Sequence, residues 1–374
     1  MFVVGAAMFY TGLAQAIGEK VVHIFGTGEN SLMLGLMLVG TILSSVLSNT
    51  GTCACLMPVA LGICAASKNT ASRQLLPMAY ACGWGGIITL VGTPPNIIGS
   101  GALTAAGLPG FRFFEFAWIG IPLSVAGILY MLLIGKYLLP KAELDADQEI
   151  EQEIEATTHD KKKQVISGVI LLACVTVMAL NLKFISLEMT AIIGALVCVL
   201  TGCLTEKQAY SSIDWVTIFL FAGMMPVSTA MDKTGAGKLI ANWAVGLMGG
   251  EPTPLIVTIV LFSISCFLTQ FMSNTASAAL LCPIGIAIAK QLNADPKAVV
   301  MAIAVAASCA FATPVGTPPC TLVLGPGGYK FMDYVKCGTG LVLLCRRGNM
   351  IRMKVLTAYN MLYFLAPGRM KSVL

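Results

Sequence analysis

The chain has 374 residues, of which 57% are hydrophobic and only 11% charged, and its mean hydropathy is +0.84. Soluble domains carry about 25% charged residues, so this composition excludes a cytosolic enzyme, a secreted disulfide scaffold and a disordered chain. The formal net charge is +5, but six of the 23 basic residues lie in 346–374 with no acidic residue among them, so the excess does not indicate an anionic partner such as a nucleic acid. The 13 cysteines form no C-x-x-C pair and lie mostly in apolar runs, and we expect them to be buried free thiols.

Three stretches of 38 residues contain no Asp, Glu, Lys or Arg, namely 30–67, 74–111 and 252–289. A transmembrane helix needs about 20 apolar residues, so each stretch is long enough for more than one passage. Residues 1–18 lack the basic start and the cleavage site of a signal peptide and are predicted to form a membrane helix that begins at Met1. The composition therefore predicts an all-α integral membrane protein with the lipid bilayer as its surroundings.

An internal repeat organises the chain. It consists of four markers that recur in the same order at offsets between 218 and 225 residues, which is hard to obtain by chance. The pairs are Thr11-Gly12 with Thr234-Gly235, Ser48-Asn49-Thr50 with Ser273-Asn274-Thr275, Gly92-Thr93-Pro94-Pro95 with Gly316-Thr317-Pro318-Pro319, and Phe113-Phe114-Glu115-Phe116 with Phe331-Met332-Asp333-Tyr334.

The repeat divides the chain into a first half, a linker, a second half and a tail, at 1–140, 141–163, 164–345 and 346–374. The linker holds eight acidic residues and four lysines, and is expected to be solvated in the cytoplasm. The second half opens with two predicted helices, 164–182 and 189–205, that have no counterpart before Met1. We therefore expect the first half to be N-terminally incomplete.

The end of the second half also differs from the end of the first. Its last predicted span covers only 339–345, against 121–139 in the first half, and an Arg-Arg pair follows. The atypical basic tail is interpreted as foreign to the fold, for instance after a shifted reading frame. The alternative is an interfacial amphipathic segment at 350–365.

Each half carries a turn and a helix break within its apolar stretches. Ser-Asn-Thr followed by a small residue is a poor helix interior and a good turn or N-cap, so 30–67 and 252–289 are predicted to be re-entrant hairpins. Thr-Pro-Pro breaks a helix because proline lacks a donor and clashes one turn back, so 74–111 and 298–329 are predicted to be broken helices. In hydrocarbon, such interruptions persist only where they line a protected cavity, and paired interruptions in two halves indicate the binding site of a transporter.

The residue types at the interruptions indicate the cargo. Asn, Ser and Thr side chains with freed carbonyls offer neutral oxygens that suit a hard cation such as sodium, and amides at half-helix N-termini suit a carboxylate. No Asp, Glu or His lies within the hairpins or broken helices, which favours coupling to sodium over a proton relay. No span contains paired carboxylates or a nucleophile with a base, so a membrane enzyme is disfavoured and no cofactor is expected.

At these residues the chain resembles the divalent anion:sodium symporter family, the dicarboxylate transporters of the ion-transporter superfamily. The resemblance covers roughly 2–345 and rests on Ser48-Asn49-Thr50 with Gly92 to Asn96, and on Ser273-Asn274-Thr275 with Ala312 to Pro319. It implies an inverted-repeat, elevator-type transporter of eleven membrane helices and two hairpins, assembled as a homodimer. It further implies a multi-pass protein of the plasma or inner membrane that carries divalent anions, foremost the C4-dicarboxylates succinate, malate and fumarate.

The resemblance also implies site residues. One departure from the family pattern is Cys320, where the first half has Asn96 and the family usually has asparagine, which puts one hydrogen bond of the second half in doubt. Sodium would be bound by Ser44, Ser48, Asn49 and the backbone at Gly92, and by Thr269, Ser273, Asn274 and the backbone at Gly316. The substrate would be bound by Asn49, Thr50, Thr93 and Pro94, and by Asn274, Thr275, Thr317 and Pro318.

Other functions stay open on the sequence alone. An exchanger would share these motifs without net sodium coupling, and a tricarboxylate or sulfate carrier would share the fold. From a different class, the chain could be an inactive truncated membrane fragment.

Overall fold

A computed structural model describes residues 1–26, 28–67, 69–140, 160–180, 185–236, 253–292 and 294–346, together with 239, 242–243 and 246. Within these residues every regular element is helical, which confirms the all-α fold class. The linker before residue 160 and the tail after Arg346 lie outside the described residues.

The first half forms seven helices within the described residues. The helix predicted from Met1 is in fact two helices, because Gly12 adopts a left-handed conformation (φ 75°) that ends the first of them. Its repeat mate Gly235 (φ 74°) ends a helix of the second half in the same way. The helices are α1 Phe2–Tyr10, α2 Leu13–Phe25, α3 Glu29–Ser44, α4 Asn49–Ser67, α5 Ala71–Gly86, α6 Pro94–Ala105 and α7 Ala117–Leu138, the last with a π-helical turn at Met131–Gly135.

The described part of the second half includes nine further helices with assigned bounds. Its last helix begins at 331, not at the predicted 339, because Asp333 Oδ2 accepts the Lys330 N–H at 2.8 Å and so satisfies an amide ahead of the first turn. Glu115 Oε2 does the same for the Arg112 N–H in the first half. The helices are α8 Lys161–Leu180, α9 Leu187–Leu200, α10 Glu206–Ser211, α11 Trp215–Thr234, α12 Pro254–Leu268, α13 Asn274–Gln291, α14 Pro296–Ala307, α15 Pro318–Leu324 and α16 at 331–346.

The two halves share one core. Helix α5 is buried along almost its whole length and packs on α3, α4 and α7, while α14 packs on α12, α13 and α6. Buried tyrosines bind the halves together: Tyr80 Oη donates to the Phe311 carbonyl at 2.8 Å, and Tyr329 Oη donates to the Ser72 carbonyl at 2.5 Å. This shared core holds the hairpins and the breaks of both halves against each other.

The outer helices present apolar side chains to the surroundings. Within the described residues, α4, α7 and α8 are long and apolar enough to cross a membrane. Trp118, Leu133, Leu172 and Ile192 are each at least 67% exposed, as expected of side chains that face lipid rather than water. All 13 cysteines are free and 12 of them are buried, which confirms their prediction as thiols of the interior.

Candidate functional site

The tips of the two hairpins are built alike. Helix α4 starts at Asn49 because Ser48 Oγ accepts the Gly51 N–H at 3.1 Å, and α13 starts at Asn274 because Ser273 Oγ accepts the Ala276 N–H at 3.2 Å. These are serine N-caps. The capping serines therefore fix where each second hairpin arm begins, and with it the position of the asparagine.

The first half brings four oxygen-bearing groups together behind the tip of its hairpin. Ser44 Oγ lies 2.6 Å from Asn49 Oδ1 and 2.7 Å from the Cys82 carbonyl oxygen. The same end of the Asn49 amide lies 3.1 Å from both the Gly92 and the Cys82 carbonyl oxygens. Ser44 is completely buried, so its hydroxyl has no contact with bulk solvent.

The second half repeats this cluster with related residues. Thr269 Oγ1 lies 2.8 Å from Asn274 Oδ1 and 2.6 Å from the Ala307 carbonyl oxygen. The inner end of the Asn274 amide lies 2.9 Å from the Gly316 carbonyl oxygen and 3.1 Å from that of Ala307. Of the predicted sodium ligands, the structure thus brings Ser44, Asn49 and Gly92 together, and Thr269, Asn274 and Gly316, whereas Ser48 and Ser273 serve as caps.

The chemistry of these clusters allows two arrangements. The Ser44 hydroxyl has one proton and cannot donate to both the Cys82 carbonyl and the Asn49 amide oxygen. If the amide nitrogen points inward, it donates to the oxygens around it. If the amide oxygen points inward, four oxygens converge, which is the environment that a hard cation prefers.

The breaks that supply the Gly92 and Gly316 carbonyls lie at 87–93 and 308–317, and each is followed by the predicted Pro-Pro start of a short helix. In the first half, Asn96 Nδ2 donates to the Thr89 carbonyl at 2.8 Å and closes the break. Cys320 cannot make this bond, but its neighbour Thr321 donates through Oγ1 to the Pro314 carbonyl at 2.6 Å. The hydrogen bond that Cys320 cannot make is therefore replaced by one from the hydroxyl of Thr321.

Close backbone approach requires glycine at Gly86 and Gly316. A Cβ atom at Gly86 would lie 2.2 Å from Asn49 Oδ1, and one at Gly316 would lie 2.7 Å from the Thr269 carbonyl oxygen. Both distances are far below van der Waals contact. The missing side chain at Gly86 leaves room for the Asn49 amide, and the missing side chain at Gly316 leaves room for the Thr269 carbonyl.

A cavity of about 1390 Å³ lies in front of both clusters. The residues from the tips and breaks that line it are all uncharged; charged lining residues come from elsewhere, including Arg112 and Lys297. Ser44 and Thr269 do not line it, so the asparagines separate the cavity from the buried oxygens. All eight predicted substrate residues line it: Asn49, Thr50, Thr93, Pro94, Asn274, Thr275, Thr317 and Pro318.

The cavity offers hydrogen-bond donors at the start of both hairpin arms. The amides of Asn49 and Thr50 precede the first intrahelical bond of α4, which Thr52 donates to Ser48, and α13 repeats this arrangement. The Pro-Pro pairs remove two amides from each half-helix, so the hairpin arms present more backbone donors than the broken helices. Thr93 Oγ1 is buried and has no partner within the described residues.

Sequence reasoning missed the carbonyls of Cys82 and Ala307 and the side chain of Gln270. The two carbonyls are related by the repeat offset of 225, but a backbone ligand leaves no side-chain pattern to recognise. Gln270 Nε2 donates to the Cys309 carbonyl at 3.0 Å, and its only sequence signal was its place next to Thr269.

Comparisons with known proteins agree with this architecture. The family model described as citrate transporter matches residues 1–278 and 177–372. An uncharacterized transporter of Haemophilus influenzae is 34% identical over 363 residues, which is 92% of this chain and 77% of the relative. The sodium-dependent dicarboxylate transporter SdcS of Staphylococcus saprophyticus is 24% identical over 405 residues, which is 98% of this chain and 75% of that protein.

A solved structure shows the same fold. The YdaH transporter of Alcanivorax borkumensis superposes with a TM-score of 0.66 at 16% identity, over 96% of this chain and 85% of that one. These matches confirm the resemblance that the two Ser-Asn-Thr and Thr-Pro-Pro motifs indicated. The chain therefore belongs to the citrate transporter family, within the ion-transporter superfamily, and is a membrane transporter rather than an enzyme.

Proposed function

We propose that the chain is a sodium-coupled carrier of divalent anions, with C4-dicarboxylates such as succinate, malate and fumarate as its preferred substrates. In this proposal it is a multi-pass protein of the plasma or inner membrane and works as a homodimer. The hairpins and broken helices move the substrate across the bilayer by an elevator motion.

The observation that carries the sodium sites is the pair of oxygen clusters behind the hairpin tips. Each contains a hydroxyl, an asparagine amide and two backbone carbonyls within 2.6–3.1 Å of the amide. Neutral oxygens from side chains and interrupted helices suit sodium. The inward orientation of an amide oxygen among other oxygens is favourable once a cation lies between them. Ser44, Asn49 and Gly92 then bind the first ion, and Ser48 caps the arm that carries Asn49; Thr269, Asn274 and Gly316 bind the second, and Ser273 caps the arm that carries Asn274.

The anion is supported by the cavity in front of these clusters. The hairpin tips and breaks that line it carry no charged side chain, so a dianion beside them is held by hairpin amides, by hydroxyls such as that of Thr93, and by the bound cations. Asn49, Thr50, Thr93 and Pro94 face one end of the substrate, and Asn274, Thr275, Thr317 and Pro318 the other. The SdcS relatives are named as sodium-dependent dicarboxylate transporters, which agrees with this cargo.

Uptake into proteoliposomes tests the proposal. Labelled succinate should accumulate with sodium outside and not with choline, and Asn49→Ala and Asn274→Ala should each abolish the sodium-driven part. Asn30→Ala is the matched control, because Asn30 is an exposed asparagine whose side chain accepts a bond from Lys136 Nζ at 3.2 Å and lies outside the proposed sites. Sodium-driven uptake that persists in the Asn49→Ala or Asn274→Ala protein would exclude these sites.

Citrate is the second candidate substrate, because the family model that matches the chain is described by citrate transport. Competition by citrate and by sulfate in the same vesicles ranks the three anions. Uptake that requires internal substrate and not sodium would identify an exchanger instead. A folded protein that transports none of these anions would support the alternative that the chain has no transport activity of its own.

A further inference from the structure

Gln270 is a buried polar side chain next to the second oxygen cluster that none of the roles above requires. It follows Thr269 directly at the tip of the second hairpin and is 8% exposed. Its Nε2 donates to the Cys266 carbonyl at 2.9 Å and to the Cys309 carbonyl at 3.0 Å, and its Oε1 accepts the Ala312 N–H at 3.0 Å. The amide group thus connects the hairpin to two positions within the break at 308–317.

A second connection runs through the backbone of the same residue. Thr313 Oγ1 donates to the Gln270 carbonyl at 2.7 Å, and the same hydroxyl accepts the Gly316 N–H at 3.2 Å. Ala307 and Gly316 supply the two carbonyls of the second cluster. Gln270 therefore fixes the chain segment between these two carbonyls, and Thr313 extends that link to Gly316.

The first half lacks this link. The repeat mate of Gln270 is Ser45, whose Oγ donates only within its own helix, to the Ile42 carbonyl at 2.7 Å. Its backbone carbonyl accepts from Thr89 Oγ1 at 2.5 Å, which matches the Thr313 bond. Within the described residues, however, no side chain of the first hairpin bonds to the break in the way that the Gln270 amide does.

We propose that Gln270 is a positioning residue that preorganises the second sodium site, so that this site binds sodium before substrate while the first depends more on substrate. The inference rests on the proposed function. Its physical basis is that carbonyls already held in place need not be ordered when the cation binds. The free-energy cost of ordering is then avoided, and the affinity for sodium is higher.

The size of the effect follows from the hydrogen bonds at stake. Gln270→Met keeps the length of the side chain and removes the bonds to Cys309 and Ala312. A net hydrogen bond corresponds to about a fivefold change in an equilibrium constant, and part of the loss falls on folding rather than on binding. We expect the sodium concentration at half-saturation to rise about tenfold.

The experiment measures sodium binding without substrate. Purified full-length protein is unfolded thermally over a series of sodium concentrations, with choline keeping the ionic strength constant, and the rise of the unfolding midpoint gives the apparent sodium affinity. Gln270→Met should shift this curve about tenfold, while the KM for succinate uptake at saturating sodium stays within twofold of wild type. If Gln270→Met does not fold, Gln270→Asn, whose amide is one methylene too short for both partners, should shift the curve in the same direction.

Two matched variants distinguish a positioning role of Gln270 from a general loss of protein stability. Ser45→Ala removes the repeat mate and should leave the sodium curve unchanged. Ser265→Ala removes a bond of the same hairpin to the same broken helix, 3.0 Å from Ser265 Oγ to the Ile303 carbonyl, and should lower stability without moving the sodium curve.

The outcomes are distinct. A wild-type protein without any sodium response would refute the proposed function and this inference with it. A wild-type response that Gln270→Met leaves unchanged, or that Ser265→Ala shifts equally, would overturn only the role of Gln270.

Discussion

A methyl group at Gly86 should disable the first sodium site without unfolding the protein. The Cβ of Gly86→Ala would lie 2.2 Å from Asn49 Oδ1, and because carbon–oxygen contacts need more than 3 Å, the amide must move by roughly 1 Å. That displacement removes its contacts with Ser44, Cys82 and Gly92 at 2.6–3.1 Å. With about 1 kcal/mol for each net interaction, losing these three weakens sodium binding by roughly 100-fold.

The assay is sodium-dependent succinate uptake together with the unfolding midpoint in choline. The control is Gly62→Ala in α4, the hairpin arm that begins at Asn49, where a Cβ would meet nothing within 4 Å. There alanine should stabilise the helix by up to about 1 kcal/mol and leave uptake unchanged. A Gly86→Ala protein with wild-type sodium dependence would refute the argument that the position of Asn49 determines the site.

Two further predictions concern single atoms of the site. Asn49→Asp keeps an oxygen toward the first cluster but cannot donate. If a cation lies there, the sodium response of the unfolding midpoint at saturating succinate should persist; if the amide nitrogen only donates to the carbonyls, the carboxylate should destabilise the protein and the sodium-driven uptake of succinate should be lost. Thr93→Val removes a buried hydroxyl that has no partner among the described residues, so the free energy of unfolding should rise by about 1 kcal/mol while the KM for succinate increases at least tenfold. A rise in stability with an unchanged KM would show that the hydroxyl does not bind substrate.

Much of the site could be predicted because its key positions have strong local causes. Ser48 and Ser273 are helix caps, and Pro94 and Pro318 force a helix to start, so these positions mark the turns and breaks in the sequence itself. The repeat then related the two halves and placed Asn49 and Asn274 in equivalent surroundings. Residue type and periodicity carry this information without any tertiary contact.

The parts that sequence could not provide depend on the backbone or on distant contacts. The Cys82 and Ala307 carbonyls belong to residues of different type, and any residue would supply the same oxygen. The bonds of Gln270 join residues about 40 positions apart, and an isolated glutamine in an apolar run does not indicate its partners. The helix end at Gly12 could not be predicted from composition, because glycine can adopt either helical or left-handed geometry and the sequence does not show which one it takes.

The uncharged hairpin tips and breaks that line the cavity give a physical reason for the sodium coupling that we propose. A dianion bound there without sodium would meet no charged side chain of the tips or breaks, so the cations that we propose in the two clusters are its main electrostatic partners. A carboxylate and a sodium ion about 5 Å apart attract each other by roughly 3 kcal/mol at an effective dielectric constant near 20, which corresponds to more than a 100-fold change in affinity. Because linkage is reciprocal, sodium raises the affinity for substrate by the same factor by which substrate raises the affinity for sodium. An arginine at the tips or breaks would bind the dianion without sodium and reduce this dependence. In the proposed function, the lack of charge at these positions, with Arg112 and Lys297 contributed to the cavity from elsewhere, is what couples substrate binding to sodium.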